Sequence, residues 1–350
     1  MSKKMRAVVI REHGGPEVLR EEQVDKPEPG PGQVRIRVRS VAVNHLDIWV
    51  RKGGPAFKLE YPHRLGSDIS GDIDAVGPGC SPTIAAKIGQ KTVVNPGVSC
   101  GVCLECLKGA DNLCREYRIL GENTQGGYGE FAVVPAANLA PFPEGLSYDE
   151  AACVLLPFLT AWQMLVDKAR VAPGQWVLVQ GGASGVGVAA IQIARLFGAR
   201  VIATASTDAK LAKCKELGAE VVVNYLKEDF VKATRKATAG TGAEIVFEHV
   251  GGETFEKSVK ATRNGGCIVT CGATSGPKPT IDLRHVFFRQ LSVLGSTMGS
   301  KSALLRVLEF VEKGQLKPVV DRTLPLSQVG EAHQLLENRG AIGKVVLSVV

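Results

Sequence analysis

The stretch VLVQGGASGVGVAAIQIARLFGA, residues 177–199, joins a short aliphatic run, a glycine-rich turn and an amphipathic helical pattern. A strand that ends in a tight turn and feeds a helix leaves the N–H groups of the first helical turn free, and these suit a pyrophosphate. Gly182 fits the tight turn, while Gly185 and Gly187 let the backbone approach phosphate and sheet. The free N–H groups begin at Val186. The strict G-x-G-x-x-G is not met, because Ser184 holds the middle glycine position. The strand-turn-helix setting, rather than the motif, therefore carries the dinucleotide reading.

The surroundings agree. Strands are expected at 176–179, 201–205, 220–224, 243–250, 266–270 and 291–294, with helices at 186–197 and 208–217. Alternating β and α units of this length imply a doubly wound parallel sheet with helices on both faces. Dinucleotides bind along the carboxyl edge of such a sheet. Gly251 in VFEHVGG, Gly272 in TCGATSG and Ser296 after Gly295 are accordingly candidate cofactor contacts, although βα turns use glycine anyway.

An acidic residue at the end of the second strand would hold the ribose of NAD. Here VIATASTDAK places Ala205 at that point, followed by Ser206, Thr207 and Lys210. Hydroxyls and a cation suit a 2′-phosphate, so NADP(H) is expected in preference to NAD(H). Asp208 stands three residues late and reads as the N-cap of the next helix, though the alternative ribose role stays open.

Up to about residue 150 the texture differs. Strands at 6–10, 33–43, 69–76, 91–95 and 130–134 are broken by PEPGPG, GPGCSP and NPG, which gives a mostly antiparallel β-rich domain. Ser147 and Glu150 form a capping-box pattern before an apolar helix. Two further helices, at 302–313 and 327–338, precede a last strand at 343–349. With 350 residues, two domains are expected: 1–155 and 156–296, with 297–350 returning to the first.

The net charge of +7 is spread without a basic block, and no aromatic and basic interleaving makes a stacking platform, so nucleic acid is not an expected partner. No apolar run approaches the roughly 20 residues of a membrane helix, and the four-residue run after the charged start is too short for a signal peptide. Nine cysteines in no pairing pattern point to reduced thiols in a cytoplasm.

Four of them, Cys100, Cys103, Cys106 and Cys114, are spaced C-x2-C-x2-C-x7-C in CGVCLECLKGADNLC, inside a lobe at about 97–116. That is the pattern of an all-thiolate zinc site. Four thiolates leave zinc no open position, so one structural zinc ion is expected.

Together these features resemble the medium-chain dehydrogenase/reductase superfamily over essentially the whole chain. The resemblance implies a GroES-like β-rich domain on the substrate side and a Rossmann domain for the cofactor. It matches the cysteine lobe to the structural zinc lobe of the alcohol dehydrogenase branch. The catalytic zinc ligands of that branch are not matched: Asn44, Ser67 and Leu156 stand at the three ligand positions, and Asp68 replaces a glutamate. Instead, NHLDIWVRKG (44–53) is similar to the quinone oxidoreductases, where the asparagine lies in the active-site cleft and an aromatic, here Trp49, lines it. In that branch a lysine and a tyrosine contact the 2′-phosphate, which implicates Lys210 and Tyr225.

The expectation is a hydride transfer from NADPH to a quinone or α,β-unsaturated carbonyl without a catalytic zinc. Asn44, in a loop running to Trp49, would donate to the substrate oxygen, and His45 or water would supply the proton. A pyrophosphate or surface role for His45 is equally open. Lys344 is a candidate for the pyrophosphate. An alcohol dehydrogenase working without catalytic zinc is the second reading, and a non-enzymatic cofactor- or nucleic-acid-binding protein the third. The resemblance also implies a homodimer or homotetramer, commonly by continuing the Rossmann sheet, with 291–294 as the edge.

Overall fold

The computed structural model describes residues 4–55 and 57–349; Met1 to Lys3, at the charged start, Ala56 and Val350 lie outside them. The chain divides into two compact units, Met1–Leu156 with Ser300–Val350, and Pro157–Gly299.

In the second unit all six expected strands form one parallel sheet. Its order is Val221–Asn224, Arg200–Ala205, Trp176–Val179, Ala243–Glu248, Thr262–Thr270 and Ser292–Gly295. All four residues of Trp176–Val179 are buried, as a strand covered on both faces must be. The order reverses at this strand, which makes it the topological switch point. Helices Gly185–Leu196 and Asp208–Glu216 follow their strands as expected, while Phe230–Ala237, Gly252–Ala261 and Leu283–Phe288 were not anticipated. The N-cap of Asp208–Glu216 is Thr207, whose hydroxyl accepts from the Lys210 N–H, and not Asp208. The hydroxyl of Thr207 sits one residue earlier, where the extended backbone aims it at the third helical N–H.

The first unit is built on a seven-stranded sheet. Five strands run in the order Val320–Pro325, Lys344–Ser348, Gln33–Ala42, Asp68–Val76 and Lys91–Val94; Leu139–Pro141 follows, and Phe131–Pro135 pairs with Gln33–Ala42. Lys344–Ser348 lies antiparallel to Gln33–Ala42, with Val346 opposite Ala42, and Ala42 faces Asp68 on the other side. Continuing that register puts Lys344 beside Asn44. The strand Arg20–Asp25, REEQVD, escaped the sequence reading because its charged residues lie on an exposed ribbon paired with Lys4–Val9.

Residues 45–52 form a helix, His45–Lys52, where a loop was expected. Its buried side chains are Asp47, Ile48, Val50 and Arg51, so one inward stripe is polar and conceals the amphipathic pattern. One helical stretch, Tyr148–Lys168, is long and apolar enough to cross a membrane, but 78% of its most apolar window is buried inside the protein. Its expected capping box is present: the Ser147 N–H donates to Glu150 Oε2 at 2.9 Å and the Glu150 N–H to Ser147 Oγ at 3.2 Å.

Candidate functional site

In the second unit the predicted cofactor residues fall after the carboxyl ends of the six strands, so the topology gathers them at one edge of the sheet. Gly182, Ser184, Gly185, Val186 and Gly187 follow the switch-point strand. Ser206 follows Arg200–Ala205, and Tyr225 follows Val221–Asn224, tied back by its N–H to the Ala205 carbonyl at 3.2 Å. Gly251, Gly272 and Ser296 follow the next three strands. Lys210 lies one turn into the Asp208–Glu216 helix.

The turn fits a pyrophosphate. A Cβ at Gly187 would lie 2.3 Å from the Gly181 carbonyl oxygen, so no larger residue permits this approach of helix to turn. Ser184 is the N-cap, its Oγ accepting from the Gly187 N–H at 3.1 Å. Among the described residues the N–H groups of Gly185 and Val186 have no hydrogen-bond acceptor, and both residues are partly exposed. His249, which the sequence reading passed over, bonds through Nε2 to the Gln180 carbonyl at 2.8 Å and packs against Gly181. Glu248 is wholly buried and accepts the Gly251 N–H at 3.0 Å and the Val250 N–H at 3.2 Å, fixing the turn that starts the next helix. Burial raises its carboxyl to about 7 despite those donors. The Ser296 hydroxyl is a buried polar atom with no partner among the described residues.

In the first unit Asn44 and Leu156, at two of the three aligned ligand positions, meet through Asp68 in a hydrogen-bonded cluster, while Ser67 at the third bonds elsewhere. Asn44 is the N-cap of the His45–Lys52 helix and buried. Its Nδ2 donates to Asp68 Oδ2 at 2.9 Å and to the Ala42 carbonyl at 3.3 Å. The other oxygen of Asp68 accepts the Leu156 N–H at 2.8 Å, and the Ser67 hydroxyl donates to the Leu120 carbonyl at 2.7 Å. Both amide protons of Asn44 thus have partners within the protein.

Lys344 belongs to the same cluster. Its Nζ donates to Asn44 Oδ1 at 2.5 Å, the Val43 carbonyl at 2.8 Å and Asp68 Oδ2 at 3.1 Å, using all three ammonium protons. The side chain is 5% exposed and that of Asp68 0%. No local signal could reveal this, since 276 residues separate the two partners. His45 and Trp49, half-buried on the same helix, lie with ring centroids 6.4 Å apart.

A second buried network holds that helix from behind. Asp47 accepts the Asn44 N–H at 2.7 Å and the Gly66 N–H at 2.9 Å, and burial raises its carboxyl to about 6. Arg51 Nη1 lies 3.2 Å from His333 Nδ1, and an arginine can only donate. Nδ1 must therefore accept, so the ring proton sits on Nε2 and donates to the Tyr128 oxygen 3.0 Å away. Burial, and then the nearby Asp47 charge, raises the Tyr128 hydroxyl well above its ordinary value. Burial, and then the Arg51 charge, lowers the His333 pKa to about 3, which keeps the ring neutral. Tyr128 also explains Gly66: a Cβ there, at φ +95°, would meet the phenol ring at 2.5 Å.

The cysteine lobe fits a metal. The four sulfurs lie within 4.8 Å of one another, with separations of 3.5, 3.6 and 3.9 Å between three of the pairs. Four thiolates about 2.3 Å from zinc in a tetrahedron stand about 3.8 Å apart. N–H groups of Val102 and Cys103 bring the Cys100 thiol down to about 7, while the adjacent sulfurs push the Cys103 thiol up to about 11. The lobe is fastened by Asp111, which accepts the Lys301 N–H at 2.9 Å and its Nζ at 3.2 Å.

A GroES-like β unit and a Rossmann-type sheet in one chain define a nicotinamide-dependent oxidoreductase. Residues 30–144 match the alcohol dehydrogenase GroES-like domain, and residues 185–313 the zinc-binding dehydrogenase family. The chain belongs to the medium-chain dehydrogenase/reductase superfamily and is an enzyme of that class. Human quinone oxidoreductase is 30% identical over 99% of this chain and 98% of its own length. A crystal structure of an NAD-dependent alcohol dehydrogenase is 55% identical, covering 99% of this chain and 100% of the other, with a TM-score of 0.94. A crotonyl-CoA carboxylase/reductase in complex with NADP is 29% identical over 99% and 95% of the two chains, with a TM-score of 0.90.

Proposed function

We propose that this protein is an NADPH-dependent reductase of quinones or α,β-unsaturated carbonyl compounds that works without a catalytic metal. One observation carries the reading. At the aligned ligand positions the donors are an amide, a hydroxyl, a carboxylate and a backbone N–H, each satisfied by protein groups, and an ammonium lies among them. A catalytic zinc needs about three ligating side chains and an open position. One carboxylate already paired with a lysine does not fit it.

Bound NADPH supplies the hydride. Alcohol oxidation draws several kcal/mol from a Lewis acid at the developing alkoxide, on the order of the electrostatic terms seen at metal sites. A conjugated acceptor spreads its negative charge over the π system, and hydrogen-bond donors suffice. His45 or water provides the proton, and Trp49 supplies an aromatic wall. Ser206, Lys210 and Tyr225 hold the 2′-phosphate, and Gly182 to Gly187 the pyrophosphate. The four cysteines hold one structural zinc ion.

The 55% identity to an NAD-dependent alcohol dehydrogenase favours a second reading, NAD-linked alcohol oxidation. The test is a direct ranking: NADPH oxidation with a naphthoquinone or an enone is expected to exceed NAD reduction with simple alcohols, and the reverse order supports the second reading.

We also propose a homodimer or homotetramer in a reducing, cytoplasmic setting. Ser292–Gly295 is an open edge strand that carries the exposed Val293 and follows the helix of the exposed Phe287 and Phe288, and all nine cysteines are free. Sedimentation at micromolar concentration checks the assembly; a monomer would refute it.

A further inference from the structure

The ammonium of Lys344 is out of water and has no proton left to offer. It lies among Val43, Asn44 and Asp68, in the register position that sheet pairing dictates. A buried ammonium is tolerated only when a counter-charge and further acceptors surround it, and Asp68 with two neutral oxygens supplies both. A phosphate could recruit Lys344 only by leaving the Asp68 carboxylate buried and short of its cation.

We infer that Lys344 is the resident cation of the Asn44–Asp68 cluster and acts as a positioning residue for the helix His45–Lys52. The inference deepens the metal-free reading above and rests on it. A lysine donates only, so Asn44 must turn its oxygen to Nζ and its NH2 to Asp68. That fixes Asn44 at the N-cap while Asp47 accepts its backbone N–H at 2.7 Å. The N-cap sets where the helix begins, and His45 and Trp49 are its first and fifth residues. Lys344 thereby controls the placement of two groups that it does not touch. It also balances Asp68, whose carboxylate would otherwise have only the Asn44 amide and the Leu156 N–H.

The test uses the full zinc-loaded chain and the variants Lys344→Met, Lys344→Arg and Lys344→Met with Asp68→Asn. NADPH affinity is read from the fluorescence of the bound nucleotide, stability from urea unfolding, and turnover with whichever cofactor and substrate pair the wild type uses. Lys344→Met is expected to keep the NADPH Kd within about twofold, lower kcat by about tenfold or more and lower the urea midpoint. Lys344→Arg should recover part of kcat, and the double variant should recover the midpoint but not kcat, which a purely structural role would restore. If Lys344→Met does not fold, the double variant answers alone: it should bind NADPH normally and turn over slowly. A Kd raised about tenfold at unchanged kcat would instead assign Lys344 to the pyrophosphate and overturn the proposal. Wild-type kcat in Lys344→Met or in the double variant would also overturn it. Binding and unfolding need no acceptor, so failure of the proposed substrate class appears only in the choice of pair and is separable from failure here.

Discussion

The cysteine lobe and the Asn44–Asp68–Lys344 cluster occupy the same unit, and they answer the question of a bound cation in opposite ways. The lobe presents four sulfurs at spacings suited to a tetrahedral ion, all from residues 100–114. The cluster draws on residues 44, 68 and 344, brought together by three neighbouring strands, and has filled its centre with an ammonium. On the proposed reading one ion braces the fold and the reaction needs none. The two sites therefore report separately on stability and on reaction.

Breaking the lobe should have the largest effect. Cys103→Ser is expected to abolish zinc binding and lower the thermal midpoint markedly, because structural zinc contributes folding free energy outright. NADPH affinity of the folded fraction should be unchanged, since the cofactor residues lie in the other unit. Metal analysis with calorimetry and nucleotide titration checks this. Breaking the cluster comes next. Asp68→Ala leaves Lys344 buried and unpaired, a loss of about 3–5 kcal/mol in urea unfolding. An effect below about 1 kcal/mol would mean that the pair is solvated like a surface bridge.

The network behind the cluster gives a pH signature. His333 has a folded pKa of about 3 against an ordinary 6.5, so the unfolded chain takes a proton that the native state refuses. Its contribution is complete above pH 6.5 and is lost as pH falls toward 3, by about 1.4 kcal/mol per unit. Asp47, raised from 3.8 to about 6, acts in the other direction, stabilising below 3.8 and losing that as pH rises through 6. The stability difference between wild type and His333→Gln should therefore narrow on acidification from pH 6.5; a constant difference would show that the ring is not held neutral. The smallest effect is at the cofactor: Ala205→Asp should weaken NADPH by about tenfold, about 1.4 kcal/mol, and favour NADH. Unchanged NADPH binding would move the ribose site elsewhere.

How much was legible follows the same division. The parallel sheet could be read because each of its strands carries its own aliphatic run and its own turn. The lobe could be read because its ligands are neighbours in sequence. Asn44 and Asp68 were visible as substitutions, but not the bond between them. Lys344 was visible only as a candidate cation and His333 not at all, because a lysine in GKVVL and a histidine in EAHQLL look like surface residues until strand register and helix packing bury them. The polar inner stripe of His45–Lys52 hid a helix for the same reason: Asp47 and Arg51 are buried, and periodicity expects apolar residues there.

The account turns on whether the Asn44–Asp68–Lys344 cluster excludes a metal while the protein is active. Zinc counted per chain in purified protein that turns over its substrate, by native mass spectrometry, tests this most directly. One ion, absent from Cys103→Ser, is the predicted result. Two ions, the second retained in Cys103→Ser and lost together with activity in Asp68→Ala, would contradict it.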